Sequence, residues 1–111
     1  MFALVVRFDL VPGAGAAFDA LVDETLGLIR AREQRTVIYA CHQVEGAADA
    51  RIFYELYEDR AAFDEHEAGE HVKRFLVGRE QHLAGPPRVE FLELPGRFQP
   101  AMVGAGEGRH G

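Results

Sequence analysis

The sequence predicts an α+β fold: a four-stranded antiparallel sheet with its helices packed on one face. Three observations carry that prediction. Four short segments alternate apolar and polar residues with period two. Two longer segments carry apolar stripes at helical spacing. The six run in the order strand, helix, strand, strand, helix, strand, which is the split βαβ or ferredoxin-like plan.

Each element has its own signal. Phe2, Leu4, Val6, Phe8 and Leu10 form an unbroken apolar row, so Phe2 to Val11 reads as a strand that Pro12-Gly13 ends. From about Ala16 to Arg32 the period becomes 3.6, with Phe18, Leu21, Val22, Thr25, Leu28 and Ile29 on one stripe. Acidic residues early and arginines late suit the helix dipole. Thr36 to Glu45 is β-branched and aromatic, Glu45 to Ala50 is a small polar loop, and Arg51 to Glu58 is the returning strand of a hairpin. Asp59 is a good N-cap for a helix through about Ala68. Gly69 breaks or bends that helix, and a second piece runs from Glu70 to about Leu83. Ala84-Gly85-Pro86-Pro87 stops it, and Arg88 to Leu94 is the last strand.

An open sheet with helices on one side should be polar on the other. Here the alternates include Val5, Val11, Phe53, Tyr57, Leu92 and Leu94, depending on register. That is too apolar for water and predicts a second layer. The sheet of a second copy is the simplest one, giving an isologous homodimer. Residues 1–95 are expected to form the domain. The Gly-rich tail, 96–111, is expected to dock on the partner subunit through Phe98, Met102 and Val103.

The chain has 111 residues, the length of one domain, and carries a formal charge of −6 with a single lysine, Lys73. Nucleic acid is bound by clustered Lys and Arg, so no nucleic-acid role is expected. Cys41 is the only cysteine, so neither an intrachain disulfide nor a CxxC metal site is available. No apolar run approaches the roughly 18 residues of a membrane span. The N-terminus has neither a basic leader nor a cleavage site, so a soluble cytoplasmic protein is expected.

Ionisable groups set among apolar ones are costly unless paired or used. His66 follows the core-facing Phe63 by three residues and shares its side of the helix. It is either satisfied by a carbonyl or acid at the helix end or lines a pocket as a base. His71 follows the Gly69 break, one turn before Phe75. Glu55 sits between Tyr54 and Leu56 in an apolar strand and must be paired or protonated. His42 is a candidate partner: the two share a face if opposed residue numbers in the hairpin sum to an odd number, and do not if the sum is even. His66 and His71 are five apart, which is not the i, i+4 spacing of a helical metal pair. No nucleotide- or flavin-binding motif is present, so neither a metal nor an organic cofactor is expected.

The strand VVRFDLVPG, the helix with AAFDALV, the element FYELYEDRAAFDEH, then HVKRF and VEFLEL together resemble the antibiotic biosynthesis monooxygenase (ABM) domain family, over roughly residues 2–95. The resemblance implies a dimeric α+β barrel in which ferredoxin-like subunits pair sheet to sheet. It also implies cofactor-free oxygenation of a small phenolic or quinol-type aromatic by O₂. His66 matches the family's helix histidine, with His71 and Glu55 as further catalytic candidates. Tyr54, Phe75 and His42 are candidates for binding the substrate. Gln34-Arg35 stands where family members often carry Pro-Gly. The chain has no tryptophan or asparagine, which the haem-degrading relatives use to hold haem, so that reading is not expected. Two other readings stay open: a non-catalytic dimeric binding or stress-response module, and a cofactor-free isomerase or lyase.

Overall fold

The structure, a computed structural model, describes residues 1–93. Strand β1 (Phe2–Asp9) leads into helix α1 (Gly15–Arg32), the hairpin strands β2 (Thr36–Val44) and β3 (Ala47–Tyr57), helices α2 (Arg60–Ala68) and α3 (Glu70–Arg79), a 3-10 turn (Glu80–His82), and strand β4 (Arg88–Leu92). The strands lie in the order β2-β3-β1-β4, and every neighbouring pair is antiparallel. This is the ferredoxin-like α+β fold that the sequence predicts.

The element bounds differ from expectation in several places, the first being β1, which ends at Asp9 rather than Val11. The hairpin loop is a two-residue turn at Glu45-Gly46, with Gly46 at φ +79°, so β3 starts at Ala47 rather than Arg51. Gly46 allows the left-handed turn that joins tightly paired strands. The second helical piece ends at Arg79, and one 3-10 turn carries it to His82. The last strand is paired only to Leu92. Leu94 and the tail fall outside the described residues.

Asp59 caps α2 as expected, its Oδ1 accepting a hydrogen bond from the Ala62 amide at 2.8 Å. Gly69 separates α2 from α3 and is the C-cap of one and the N-cap of the other.

The helix-facing side of the sheet holds the core. Leu4, Val6 and Phe8 of β1 and Phe53 and Tyr57 of β3 are buried against Phe18 and Val22 of α1, Phe63 of α2 and Phe75 of α3. Phe53 and Tyr57 therefore do not belong to the outer face. That face carries Val5, Ile38, Ala40, Ile52, Tyr54, Leu56 and Leu92, as the pairing of Val5 with Tyr54 and of Ala40 with Tyr54 requires. It remains largely apolar, and none of its side chains falls in the buried class.

Two details of β2 position the site. Tyr39 stands opposite Glu55 and His42 opposite Ile52, an even register, so His42 and Glu55 lie on opposite faces. At its start the ladder is irregular between Thr36 and Ile38. The extra residue there lets both Thr36, opposite Tyr57, and Tyr39, opposite Glu55, face the helices, although they are three apart in sequence.

Candidate active site

The site is built where the end of α1, the junction of α2 and α3, and the bulged start of β2 converge. Glu33 is the C-cap of α1. A carboxylate at a helix C-terminus opposes the dipole, and one taken out of water needs donors. Glu33 finds three. His66 Nδ1 lies 2.8 and 2.9 Å from its two oxygens, His71 Nε2 2.5 Å from Oε2, and Thr36 Oγ1 donates to Oε1 at 2.6 Å. Burial alone would raise the Glu33 carboxyl. The bonds from His66 and Thr36, the proximity of His66 and the bond from His71 outweigh it and hold the group below the usual carboxylate range.

The neighbouring chain is fixed from outside. Arg35 reaches Asp59 at 2.6 and 2.7 Å, Glu65 at 2.8 Å and Glu58 at 3.3 Å, tying the α1–β2 link to the start of α2. Glu33 and Thr36 point inward on either side of this clamp.

His66, 2% exposed, lies between Tyr39 and Tyr57, each ring centroid 5.3 Å from its own. With Nδ1 donating to Glu33, the lone pair of the neutral ring sits on Nε2. His66 also lines a cavity of about 150 Å³ between helices and sheet. Leu4, Val6, Phe8, Phe63 and Phe75 supply its apolar wall, and Tyr39, Glu55, Glu67 and Arg79 its polar groups. Phe91 and Val89 of the edge strand β4, 53% and 44% exposed, mark its open side.

Glu55, 5% exposed, accepts a hydrogen bond from the Tyr57 hydroxyl at 2.6 Å. Burial raises its carboxyl above the usual range, although the Tyr57 bond and the nearby His66 pull the other way. The Tyr57 hydroxyl is itself pushed far up, by burial first and then by Glu55. The structure thus places His66, Glu55 and Phe75 on one cavity. His71 shares Glu33 with His66 and lines a surface groove with Arg32, Lys73 and Arg74. Tyr54 and His42 lie on the other face of the sheet, turned away from the cavity by the alternation of β3 and β2.

A sequence model of the family "Antibiotic biosynthesis monooxygenase" matches residues 1–77, more than half of the chain. The chain belongs to the antibiotic biosynthesis monooxygenase family. No curated protein matches it. Among solved structures, a crystal structure described as an antibiotic biosynthesis monooxygenase superposes with a TM-score of 0.79 at 23% identity, covering 86% of this chain and all of that one. The Rv0793 protein of Mycobacterium tuberculosis gives 0.79 at 24%, covering 88% and 98%. A protein of unknown function from Nitrosomonas europaea gives 0.75 at 23%, covering 89% and 93%. At these identities the likeness shows the fold.

Two features of this ABM domain escaped sequence reasoning. Glu33 has no local signal, because its two histidine partners are 33 and 38 residues away. Arg35 has no local signal either, since its acidic partners Glu58, Asp59 and Glu65 lie 23 to 30 residues further along the chain. Among the described residues no group of three or more His, Cys, Asp or Glu is arranged to hold a metal ion. No described helix is long and apolar enough to cross a membrane.

Proposed function

We propose that this ABM protein is a cofactor-independent monooxygenase. It oxidises a single-ring phenol or quinol with O₂, works as a homodimer, and uses His66 as its base. The observation that carries this reading is the position of His66 between a half-buried carboxylate and a cavity with a largely apolar wall. Glu33 on Nδ1 fixes the tautomer and orients the ring, and it compensates the charge when Nε2 takes a proton. His66 lies in the last turn of α2, where the dipole favours a cation, whereas His71 opens α3, where it does not. His66 lines the cavity and His71 does not, which makes His66 the seat of the proposed base.

The chemistry follows from that seat. Nε2 removes the hydroxyl proton of the substrate, and the electron-rich anion passes one electron to O₂. The resulting carbon radical and superoxide join, forming the C–O bond of a peroxide. Collapse of the O–O bond leaves one oxygen on the ring as a carbonyl. The other leaves as water, taking the proton held by His66 and the hydrogen from the oxidised carbon. The protein binds, deprotonates and keeps water away. An apolar cavity of about 150 Å³ is large enough for one benzene ring, which favours a monocyclic substrate.

The homodimer reading rests on the outer face of the sheet. Its apolar row from Ile38 to Leu92 suits the same row of a second copy, related by a two-fold axis.

Oxygen uptake by metal-stripped protein, given a panel of hydroquinones and alkylphenols, tests the activity. Uptake above the uncatalysed rate should fall by roughly 10²–10⁴ in His66→Ala while the fold persists, the usual contribution of a positioned acid–base group. Turnover without oxygen consumption would move the protein to the isomerase or lyase reading. No turnover of any kind would favour a binding module.

A further inference from the structure

Arg79 is a half-buried cation whose Nε is buried and unpartnered. It closes α3 and lines the cavity with His66, Glu55 and Tyr39. Among the described residues it forms no ion pair, and its Nε is the one buried side-chain nitrogen or oxygen without a hydrogen-bond partner. Native structures rarely leave such a group unsatisfied, because a buried donor that has lost water and gained no acceptor is costly, more so when charged. The guanidinium lies over Phe8 at 5.3 Å and Phe75 at 5.7 Å from the ring centroids. Aromatic rings engage the faces of a guanidinium; its N–H groups lie in its plane and are left for an acceptor. Burial also pulls the Arg79 pKa down, a sign of how poorly the charge is solvated.

The anions already near Arg79 do not fill this role. Glu80, its chain neighbour, is exposed and forms no ion pair with it. Glu55 lines the same cavity, but its carboxyl is bonded to Tyr57 and raised by burial. Glu67 is an exposed residue at the rim. Arg79 also lies beyond residues 1–77, so the family match does not bear on it.

We propose that Arg79 is the substrate's anion contact: it pairs with the oxygen of a single-ring aromatic phenolate seated in the cavity, and so selects phenolic ligands over neutral rings of equal size. This deepens the proposed function and rests on the cavity being the substrate site. Arg79 stabilises the anion that His66 creates, and the two residues divide the task into proton acceptance and charge compensation. A charge-assisted hydrogen bond in a partly dry site gives the phenolate its preference.

The test is equilibrium binding of 4-nitrophenolate, whose visible absorbance reports its ionised form, against the neutral nitrobenzene. Wild type should prefer the phenolate. Arg79→Met should lose about 10- to 100-fold of phenolate affinity, as expected for a hydrogen bond to a charged group worth roughly 1.5–3 kcal/mol, with nitrobenzene binding unchanged. Arg79→Lys keeps the charge and should retain part of the preference, which preserves the test if the Met variant does not fold. Equal preference in wild type and variant would overturn the proposal. So would failure of wild type to bind 4-nitrophenolate, or loss of preference in His66→Ala but not at Arg79. Should oxygen uptake fail with every phenol while Arg79-dependent phenolate binding persists, the oxygenase reading falls and the anion contact stands.

Discussion

Glu33 and His66 are 33 residues apart in the chain, yet Glu33 Oε1 lies 2.8 Å from His66 Nδ1. The pair joins the end of the first helix to the end of the second, and His71 makes a third corner. Every side chain in this triangle is polar and largely out of water, so the arrangement is stable only when complete.

Removal of the carboxylate should therefore be costly. Glu33→Ala leaves two imidazole N–H groups and the Thr36 hydroxyl to find new partners. The expected loss is about 1–3 kcal/mol for each buried group left unpaired, read from urea unfolding of wild type and variant. Glu33→Gln, which keeps an acceptor oxygen, should lose less. A loss under about 0.5 kcal/mol in the alanine variant, the range of an ordinary surface change, would mean that the triangle contributes little to folding.

Gly69 should not tolerate a side chain. A Cβ there would lie 2.6 Å from His71 Cε1, 3.0 Å from His71 Nδ1 and 3.3 Å from the His66 carbonyl oxygen. The backbone of Gly69 is ordinary extended chain, so the constraint is space and not dihedral angle. Gly69→Ala should destabilise by about 1–3 kcal/mol, the usual cost of overpacking. Most of that penalty should disappear in a His71→Ala background. Additive penalties in the thermal melts of the double-mutant cycle would show that the two residues do not meet.

The sequence made the elements legible, and much less of the site. Strand and helix periods follow from burial along one face, so the four strands, the Asp59 cap and the Gly69 break could be read directly. His66 was legible because it follows Phe63 on a core-facing stripe, and Glu55 because a carboxylate among apolar strand residues is anomalous. The partner of His66 was not legible, since nothing local distinguishes Glu33 from any other acid after a helix. The irregularity near Val37 was hidden too. It changes which residues of β2 face the helices, and with it the fate of Thr36 and Tyr39. His42 and Tyr54 were placed by register, which a hairpin of unknown loop length leaves undetermined.

Acid and base should act on the two carboxylates with opposite sign. Glu55 is raised above its ordinary 4.5, so the folded protein holds that proton more tightly than the unfolded chain. Its contribution is fully present below the unfolded value and is lost as pH rises through the folded one. Glu33 is lowered, so its contribution is present above 4.5 and is lost as pH falls through its folded value. Glu55→Gln should consequently gain stability relative to wild type as pH is raised from about 4 to 8. Urea midpoints across that range check it; a gap that is constant or narrows would show that Glu55 ionises freely.

The outer face offers a direct test of assembly. Leu56 lies at the centre of that face, paired with Ala3 and Ile38. Leu56→Glu should convert a dimer to monomer in sedimentation at micromolar concentration, because a buried unpaired carboxylate at a two-fold interface is paid twice. Wild type sedimenting as a monomer would refute the sheet-to-sheet pairing outright.

The anchoring of His66 by a residue 33 positions earlier in the chain has a kinetic side. Contacts between distant parts of a chain form only after the intervening loop has closed, and they assemble with the domain as a whole. A chain ending after α1 has the carboxylate without the imidazole, and one beginning at β3 has the imidazole without the carboxylate. The Glu33–His66 pair therefore has no partly assembled form: it is present in the native basin and absent elsewhere.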